Sequence, residues 1–356
     1  MRRLPIFFLV DVSESMVGEN HYRLEQGIGT ILNSLRQSPY ALETAYIAVI
    51  VFAGKARTVL PLTELTVCHP PELPVGGGTA LGLALNHLMT EIDRSVIAST
   101  PQQKGDWQPI VFLITDGHAT DRTDQAVKKW NSLFRQRVNL IAISIGGGAD
   151  HHVLEQLTET VVVLNDQTPD AFTRFFQWIS NSIQIQSRSL SSGPNGPVNL
   201  AKTDPDLLAP PEMARNWSNL TPIDQRYAIF VGKCAKTRLS YLVKYQLHLG
   251  RIETSDPVLS RLFQLRNYLL ETAIPLRQSY FDLSDDLEND QTIRAEDLIG
   301  QPDCPHCHAS YSLAQCACGK LHCLTGAGVC QCPWCNKFGE YGLSKAEGVE
   351  FGRGRG

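Results

Sequence analysis

Apolar residues in the first half of the chain follow two periods in alternation. Short β-rich runs occupy 6–10, 46–52, 110–115, 140–145 and 161–164. Between them, apolar positions recur at helical spacing over 22–37, 80–92, 124–137 and 172–186, as expected of helices with one buried face. The runs IFFLV, IVFLIT and LIAISI are continuously apolar. Continuous hydrophobicity marks strands covered on both faces, the habit of parallel sheets held between helices. The pattern predicts an α/β domain over residues 1–186, with a doubly wound, mostly parallel sheet. A ligand site is expected where its loops gather, at the carboxyl ends of the strands.

Beyond residue 186 the pattern breaks. Residues 187–222 are rich in Ser, Pro and Gly and read as an interdomain linker, part-extended by its prolines. Segments 226–232 and 238–248 read as paired strands. Segment 258–270 puts Leu259, Leu262, Phe263, Leu269 and Leu270 on one helical face, predicting a core-packing helix. The acidic run 282–290 (DLSDDLEND) lacks the glycine that an EF-hand loop needs at its sixth position, so it reads as a solvated turn. A small β-rich second domain is expected over 223–345, with a cysteine cluster at 304–335. Residues 346–356, ending in FGRGRG, read as a flexible tail.

Composition agrees with two domains. At 356 residues the chain exceeds the usual size of one compact domain. Its 43% hydrophobic and 19% charged residues are ordinary for a globular protein. A net charge of −4 gives no electrostatic reason to expect nucleic acid or an anionic membrane as partner. The apolar run after Arg3 is seven residues long and ends at Asp11; with no small-residue cleavage site it reads as a strand, not a leader. No stretch reaches the roughly 18–20 apolar residues that cross a bilayer. The expected location is the cytoplasm. Eight of the ten cysteines lie between Cys304 and Cys335, which in a reducing compartment suggests a metal site rather than disulfides. Cys68 and Cys234 fall outside that cluster and read as partly buried free thiols.

Three separated pieces carry candidate chemistry in the first domain. Asp11-Val12-Ser13-Glu14-Ser15 follows the first strand, Gly76-Gly77-Gly78-Thr79 precedes a helix, and Thr115-Asp116-Gly117 follows the 110–115 strand. Alone, each is an ordinary helix cap or tight turn. In order on loops of one sheet edge, they offer the carboxylates and hydroxyls that a hard cation such as Mg²⁺ requires. No Gly-Lys-Ser/Thr follows the glycines, so this is not a P-loop. No nucleophile elbow, kinase signature or G-x-G-x-x-G is present.

These pieces resemble the metal-ion-dependent adhesion site of von Willebrand factor A-type (VWA) domains, with D-x-S-x-S in the first loop, Thr in the second and Asp in the third. The run 113–121 (LITDGHATD) is similar to the segment such domains carry around the third-loop aspartate. The resemblance covers residues 1–186 and implies a Rossmann-like fold. It implies hydroxyl ligands from Ser13, Ser15 and Thr79, with Asp11 and Asp116 reaching Mg²⁺, Ca²⁺ or Mn²⁺ directly or through water. It also implies one open coordination position, to be filled by a partner's Asp or Glu.

The cysteine cluster reads Cys304-Pro-His-Cys307, Cys316-Ala-Cys318, Cys323 and Cys330-Gln-Cys332-Pro-Trp-Cys335. Eight thiolates match two tetrahedral Cys₄ zinc sites without remainder, and the C-P-x-C elements look like zinc knuckles. Two pairings stay open. Nested sites would join Cys304, Cys307, Cys332 and Cys335 around one ion and Cys316, Cys318, Cys323 and Cys330 around the other; a cross-braced arrangement would interleave the pairs. His306, His308 and His322 are candidate substitutes. Closed thiolate sites are structural, and zinc contributes roughly 10–16 kcal/mol in small zinc domains. Lys320 is the only Lys or Arg between Cys304 and Cys335, which argues against nucleic-acid binding.

The whole layout resembles the TerY-like proteins of bacterial tellurite-resistance systems. Their C-terminal metal-binding domain, TerY-C, is similar to roughly residues 223–340, with 292–307 (TIRAEDLIGQPDCPHC) carrying part of the match. That resemblance implies a non-enzymatic adaptor in stress response, associated with a Ser/Thr kinase and a PP2C-type phosphatase. A nucleic-acid-binding regulator built on the zinc module and a metal-dependent hydrolase remain the alternatives.

Overall fold

The computed structural model describes residues 2–146, 151–164, 168–189, 200–202, 207–209, 225–251, 264–285, 291–342 and 348–353. The chain divides into two units, Met1–Pro222 with Asp282–Asp285, and Ile223–Phe281 with Asp286–Gly356.

In the first unit the strands are β1 (Leu4–Asp11), β2 (Ala45–Phe52), β3 (Ala56–Glu64), β4 (Ile110–Thr115), β5 (Asn139–Ile145), β6 (Val161–Leu164) and β7 (Leu208–Ala209). They form one sheet in the order β3-β2-β1-β4-β5-β6-β7. The pairs from β2 through β6 are parallel, and the edge strands β3 and β7 are antiparallel. Side chains of β1 explain its unbroken apolar run. Leu4, Ile6, Phe8 and Val10 join one core cluster, with α1 (Glu19–Arg36) and α6 (Pro169–Ser189). Phe7 and Leu9 join the other, with α3 (Leu81–Ser95) and α4 (Asp124–Leu133). Both faces are covered, so neither can be polar. The short α2 (Pro39–Thr44), α5 (His151–Leu157) and the half-buried β3 give no comparable sequence signal.

Two sequence expectations need correction here. Part of the expected linker packs on the first unit: Leu207 and Leu208 are buried and β7 extends the sheet. Trp178 Nε1 donates to the Ala201 carbonyl, and the Ala201 N–H donates to Ser182 Oγ, both at 3.0 Å. The acidic run is not simply a solvated turn, because Leu283 lies in the first unit's core. A few apolar residues in a polar stretch make no periodic pattern, yet burying them is favourable wherever the fold offers a pocket.

The second unit is built on a six-stranded sheet in the order β12-β10-β9-β8-β14-β13. Its strands are β8 (Tyr227–Lys233), β9 (Ser240–Arg251), β10 (Gln264–Pro275), β12 (Leu298–Ile299), β13 (Tyr311–Gln315) and β14 (Leu321–Leu324). The expected strand pair is present as antiparallel β8 and β9. The helix expected over 258–270 is not: from residue 264 the chain is strand, and 258–263 lie outside the described residues. β10 pairs with β9 from Gln264↔Arg251 to Pro275↔Tyr241, with a bulge between Leu270 and Thr272. That ladder satisfies the backbone along the whole segment and overrides the helical spacing of its leucines.

The tail also departs from expectation. β17 (Glu350–Gly352) pairs with β11 (Thr292–Arg294), and Phe351 is buried with its ring 5.9 Å from that of Phe230. Phe351→Ala should therefore cost the second unit about 3–5 kcal/mol. Urea unfolding checks this, and a loss under about 1 kcal/mol would mean the ring is not part of the core.

Candidate metal centres

The first centre forms where β1 and β4 end. The Val12 N–H donates to the Phe52 carbonyl at 2.9 Å, and the Val12 carbonyl accepts from the Gly76 N–H at 3.0 Å, which ties the first loop to the second. Within the first loop, the Ser13 N–H donates to Asp11 Oδ1 at 2.9 Å, and the Ser13 and Ser15 hydroxyls lie 2.9 Å apart. Ser15 Oγ donates to Asp116 Oδ1 at 2.7 Å, closing the first loop onto the third. Thr79 is held at both backbone ends by Thr120, its N–H donating to Oγ1 at 2.9 Å and its carbonyl accepting from the N–H at 2.8 Å. Gly78, at φ +89°, supplies the left-handed turn into Thr79 that other residues adopt only with strain. A Cβ added to Gly117 would lie 3.5 Å from Thr79 Oγ1 and 3.7 Å from Ser15 Oγ, so both hydroxyls face the third loop. None of Asp11, Ser13, Ser15, Thr79 and Asp116 is more than 2% exposed.

Burial, and then the neighbouring charge of Asp116, push the Asp11 carboxyl up to about 7; hydrogen bonds from Ser13 and Thr115 oppose the rise. Two carboxylates taken out of water beside each other are costly unless a cation compensates them. The donors are all hard oxygens, so the set fits Mg²⁺, Ca²⁺ or Mn²⁺.

The second unit gathers two cysteine tetrads. Cys234, Cys304, Cys307 and Cys323 form one, and Cys316, Cys318, Cys332 and Cys335 form the other, with the sulfurs of each within 4.8 Å of one another. Three turns present sulfurs in the same way. Cys234, Cys304 and Cys332 each accept at their carbonyl from the N–H four residues on and donate to the carbonyl five residues on. Arg238, His308 and Asn336, at the fourth position, have φ of 61°, 58° and 61°. Burial pushes the Cys234 thiol up, but hydrogen bonds from Thr237, Cys307 and the Lys236 backbone together outweigh it and bring it down to about 6. A hydrogen bond from the Cys318 backbone brings Cys316 down to about 6. Each tetrad thus holds a thiol that ionises below neutral pH, and thiolate is the form that binds zinc.

Comparison with known proteins finds a domain family for each part of the chain. Residues 6–177 match the von Willebrand factor type A domain family, and residues 224–356 match the TerY-C metal binding domain family. The chain joins a VWA domain to a TerY-C domain. Similar solved structures include a von Willebrand factor type A protein from Catenulispora acidiphila, 16% identical over 51% of this chain and 43% of that one, with a TM-score of 0.39. BatB from Bacteroides thetaiotaomicron is 18% identical over 50% of this chain and 98% of that one, at 0.34. Proximal thread matrix protein 1 of the mussel byssus, with a zinc-occupied MIDAS motif, is 18% identical over 52% and 46%, at 0.37. This chain thus spans under half of the Catenulispora and byssus proteins. No curated protein matches it significantly. The VWA and TerY-C domains together support a metal-related role in protein interaction. Among the described residues no helix is long and apolar enough to cross a membrane.

The structure brings together all five oxygen donors expected in the VWA domain. In TerY-C the pairs interleave, as the cross-braced alternative has it, but one member of the ligand set expected from sequence needs correction. Cys330 belongs to neither tetrad, and Cys234, read as a free thiol, takes a place in the first. The nested pairing fails because Cys304 and Cys307 join Cys323, not Cys332 and Cys335. The histidines stay outside: His306 Nε2 lies 2.9 Å from the Ser240 carbonyl, and His322 Nε2 lies 2.8 Å from the Tyr341 hydroxyl. Cys234 had one available signal. Cys234-Ala-Lys-Thr237 is a knuckle with threonine where Cys304-Pro-His-Cys307 has its second cysteine, and Cys323 makes good the missing sulfur.

Three residues of the 113–121 run act as positioning residues, a role that the motif itself does not assign them. Thr115 Oγ1 donates to Asp11 Oδ2 at 2.6 Å, Thr120 holds Thr79, and Asp121 caps α3 by accepting from the Gly82 and Leu83 N–H groups at 3.0 and 2.9 Å. Thr115→Val removes the bond that orients Asp11 without touching a donor. Cation affinity should fall by about 10–100-fold, measured by titration calorimetry; an unchanged affinity would show that Asp11 needs no such support.

Proposed function

We propose that this chain is a non-enzymatic adaptor that binds a protein partner through a divalent cation held by Asp11, Ser13, Ser15, Thr79 and Asp116. The convergence of these five buried oxygen donors on one sheet edge carries the reading. Only two of them are carboxylates, so the protein neutralises a divalent ion without over-coordinating it. A bound Mg²⁺ would supply a Lewis-acidic centre with a position for a partner's Asp or Glu. In the TerY-C domain, two zinc ions on the two cysteine tetrads would be closed and structural, because four thiolates leave no position for a substrate. Hard oxygens in one domain and soft sulfurs in the other keep the two metals in separate roles.

The resemblance to TerY-like proteins extends this to a cytoplasmic role in bacterial stress response or tellurite resistance, beside a Ser/Thr kinase and a PP2C-type phosphatase. Phosphatase and nucleotidase assays on the purified chain test the non-enzymatic part. The expected result is no Mg²⁺-dependent turnover; turnover that Asp11→Ala abolishes would make the site catalytic instead.

A further inference from the structure

The acidic run after residue 281 has a place in the first unit. Asp282–Asp285 packs there, anchored by Leu283, which is 2% exposed. Backbone contacts fasten the segment to the loops beside the cation donors. The Lys55 N–H donates to the Leu283 carbonyl at 2.8 Å, and the Asp285 N–H donates to the Gly77 carbonyl at 3.4 Å. The Gly77 N–H donates to Ser284 Oγ at 2.8 Å. The receiving loop is shaped for this approach, because a Cβ on Gly54 would lie 2.1 Å from the Asp285 nitrogen. The Asp285 carboxylate rests against Gly78. A Cβ there would lie 3.1 Å from Asp285 Oδ2 and 3.5 Å from Thr120 Oγ1, the hydroxyl that holds the Thr79 N–H. A carboxylate is therefore fixed beside the second loop, one residue along from a proposed ligand.

We infer that Asp285 is an internal acidic ligand for the cation of the VWA domain, occupying the position that a partner's acid must take. The inference rests on the cation-site reading above. Asp285 carries the chemical group expected of the partner, and its tether to buried Leu283 gives it a high effective concentration at the site. An incoming acidic side chain then binds by displacing it, so only a partner with further contacts competes well. The geometry asks for no new fold: the segment is already seated, and only the carboxylate need exchange.

The test uses the zinc-loaded full chain titrated with Mn²⁺. Electron paramagnetic resonance follows the free ion, and water-proton relaxation reports how much water the bound ion carries. Asp285→Ala should weaken Mn²⁺ binding about tenfold and raise the relaxation enhancement per bound ion, as water replaces the carboxylate. Asp282→Ala, an exposed neighbour of equal charge, should move neither reading. Asp285→Ala matching the wild type in both, or Asp282→Ala shifting them equally, overturns the internal ligand and leaves the cation site standing. Wild-type protein with no Mn²⁺ binding sensitive to Asp11→Ala overturns the cation site and the internal ligand together.

Discussion

Replacing Cys234 with serine should remove one of two zinc ions per chain and unfold much of the TerY-C domain. The sulfur is one of four in its tetrad, and its turn starts directly after β8, against the core that includes Phe230 and Tyr241. Zinc contributes roughly 10–16 kcal/mol to folding in small zinc domains, which is as much as a whole domain's usual margin of about 5–15 kcal/mol. A three-sulfur site keeps only part of that, and serine is a poor substitute for a thiolate. Cys330→Ser makes the matched control, since Cys330 sits outside both tetrads and should leave two zinc ions and the thermal transition unchanged. Zinc content by mass spectrometry and unfolding by circular dichroism check both variants. Loss of zinc from the Cys330 variant, with Cys234→Ser unaffected, would restore the ligand set that spacing alone suggests.

Asp11→Ala or Thr79→Ala should abolish cation-dependent partner binding, a loss of more than about 100-fold, since weakening even an outer supporting contact costs 10–100-fold. Both side chains sit at the ends of elements rather than in the apolar layers, so the sheet should survive. Asp11 further links the site to pH. Its folded-state value of about 7 is above the roughly 3.9 of an unfolded aspartate. Its contribution to stability in chelator is therefore fully present below about pH 4 and is lost as pH rises through 7. A bound cation favours the ionised form and reverses that trend. Melting in chelator should fall between pH 5 and 8 in the wild type, with a shallower slope in Asp11→Asn; equal slopes would mean that Asp11 does not titrate in this range.

The two units differ in how much of them a reader of the sequence can recover. The VWA sheet is legible because strands such as IFFLV are buried on both faces and so cannot hide their period. The grouping of its five candidate oxygen donors is legible because Asp11, Ser13, Ser15, Thr79 and Asp116 all stand at strand ends or a helix start. What supports them is not: Thr115 and Thr120 act through a few local hydrogen bonds that leave no pattern. In TerY-C, close cysteine spacing announces zinc but not its partition. Cys234 escapes because its partners are brought to it by β8 pairing with β14, on which Cys323 lies. β10 escapes because its leucines happen to fall at helical spacing. Leu283 and Phe351 escape for a shared reason, each being one apolar residue in a polar stretch that only the folded unit can bury.

The most direct test of cation-mediated recognition is a quantitative pull-down from native lysate. Zinc-loaded wild type and Thr79→Ala serve as baits in the same Mg²⁺ buffer, and the wild type is also run with Mg²⁺ omitted. Cation-mediated binding predicts a partner retained by the wild type in Mg²⁺ and lost in both other arms. Equal recovery in all three would contradict it.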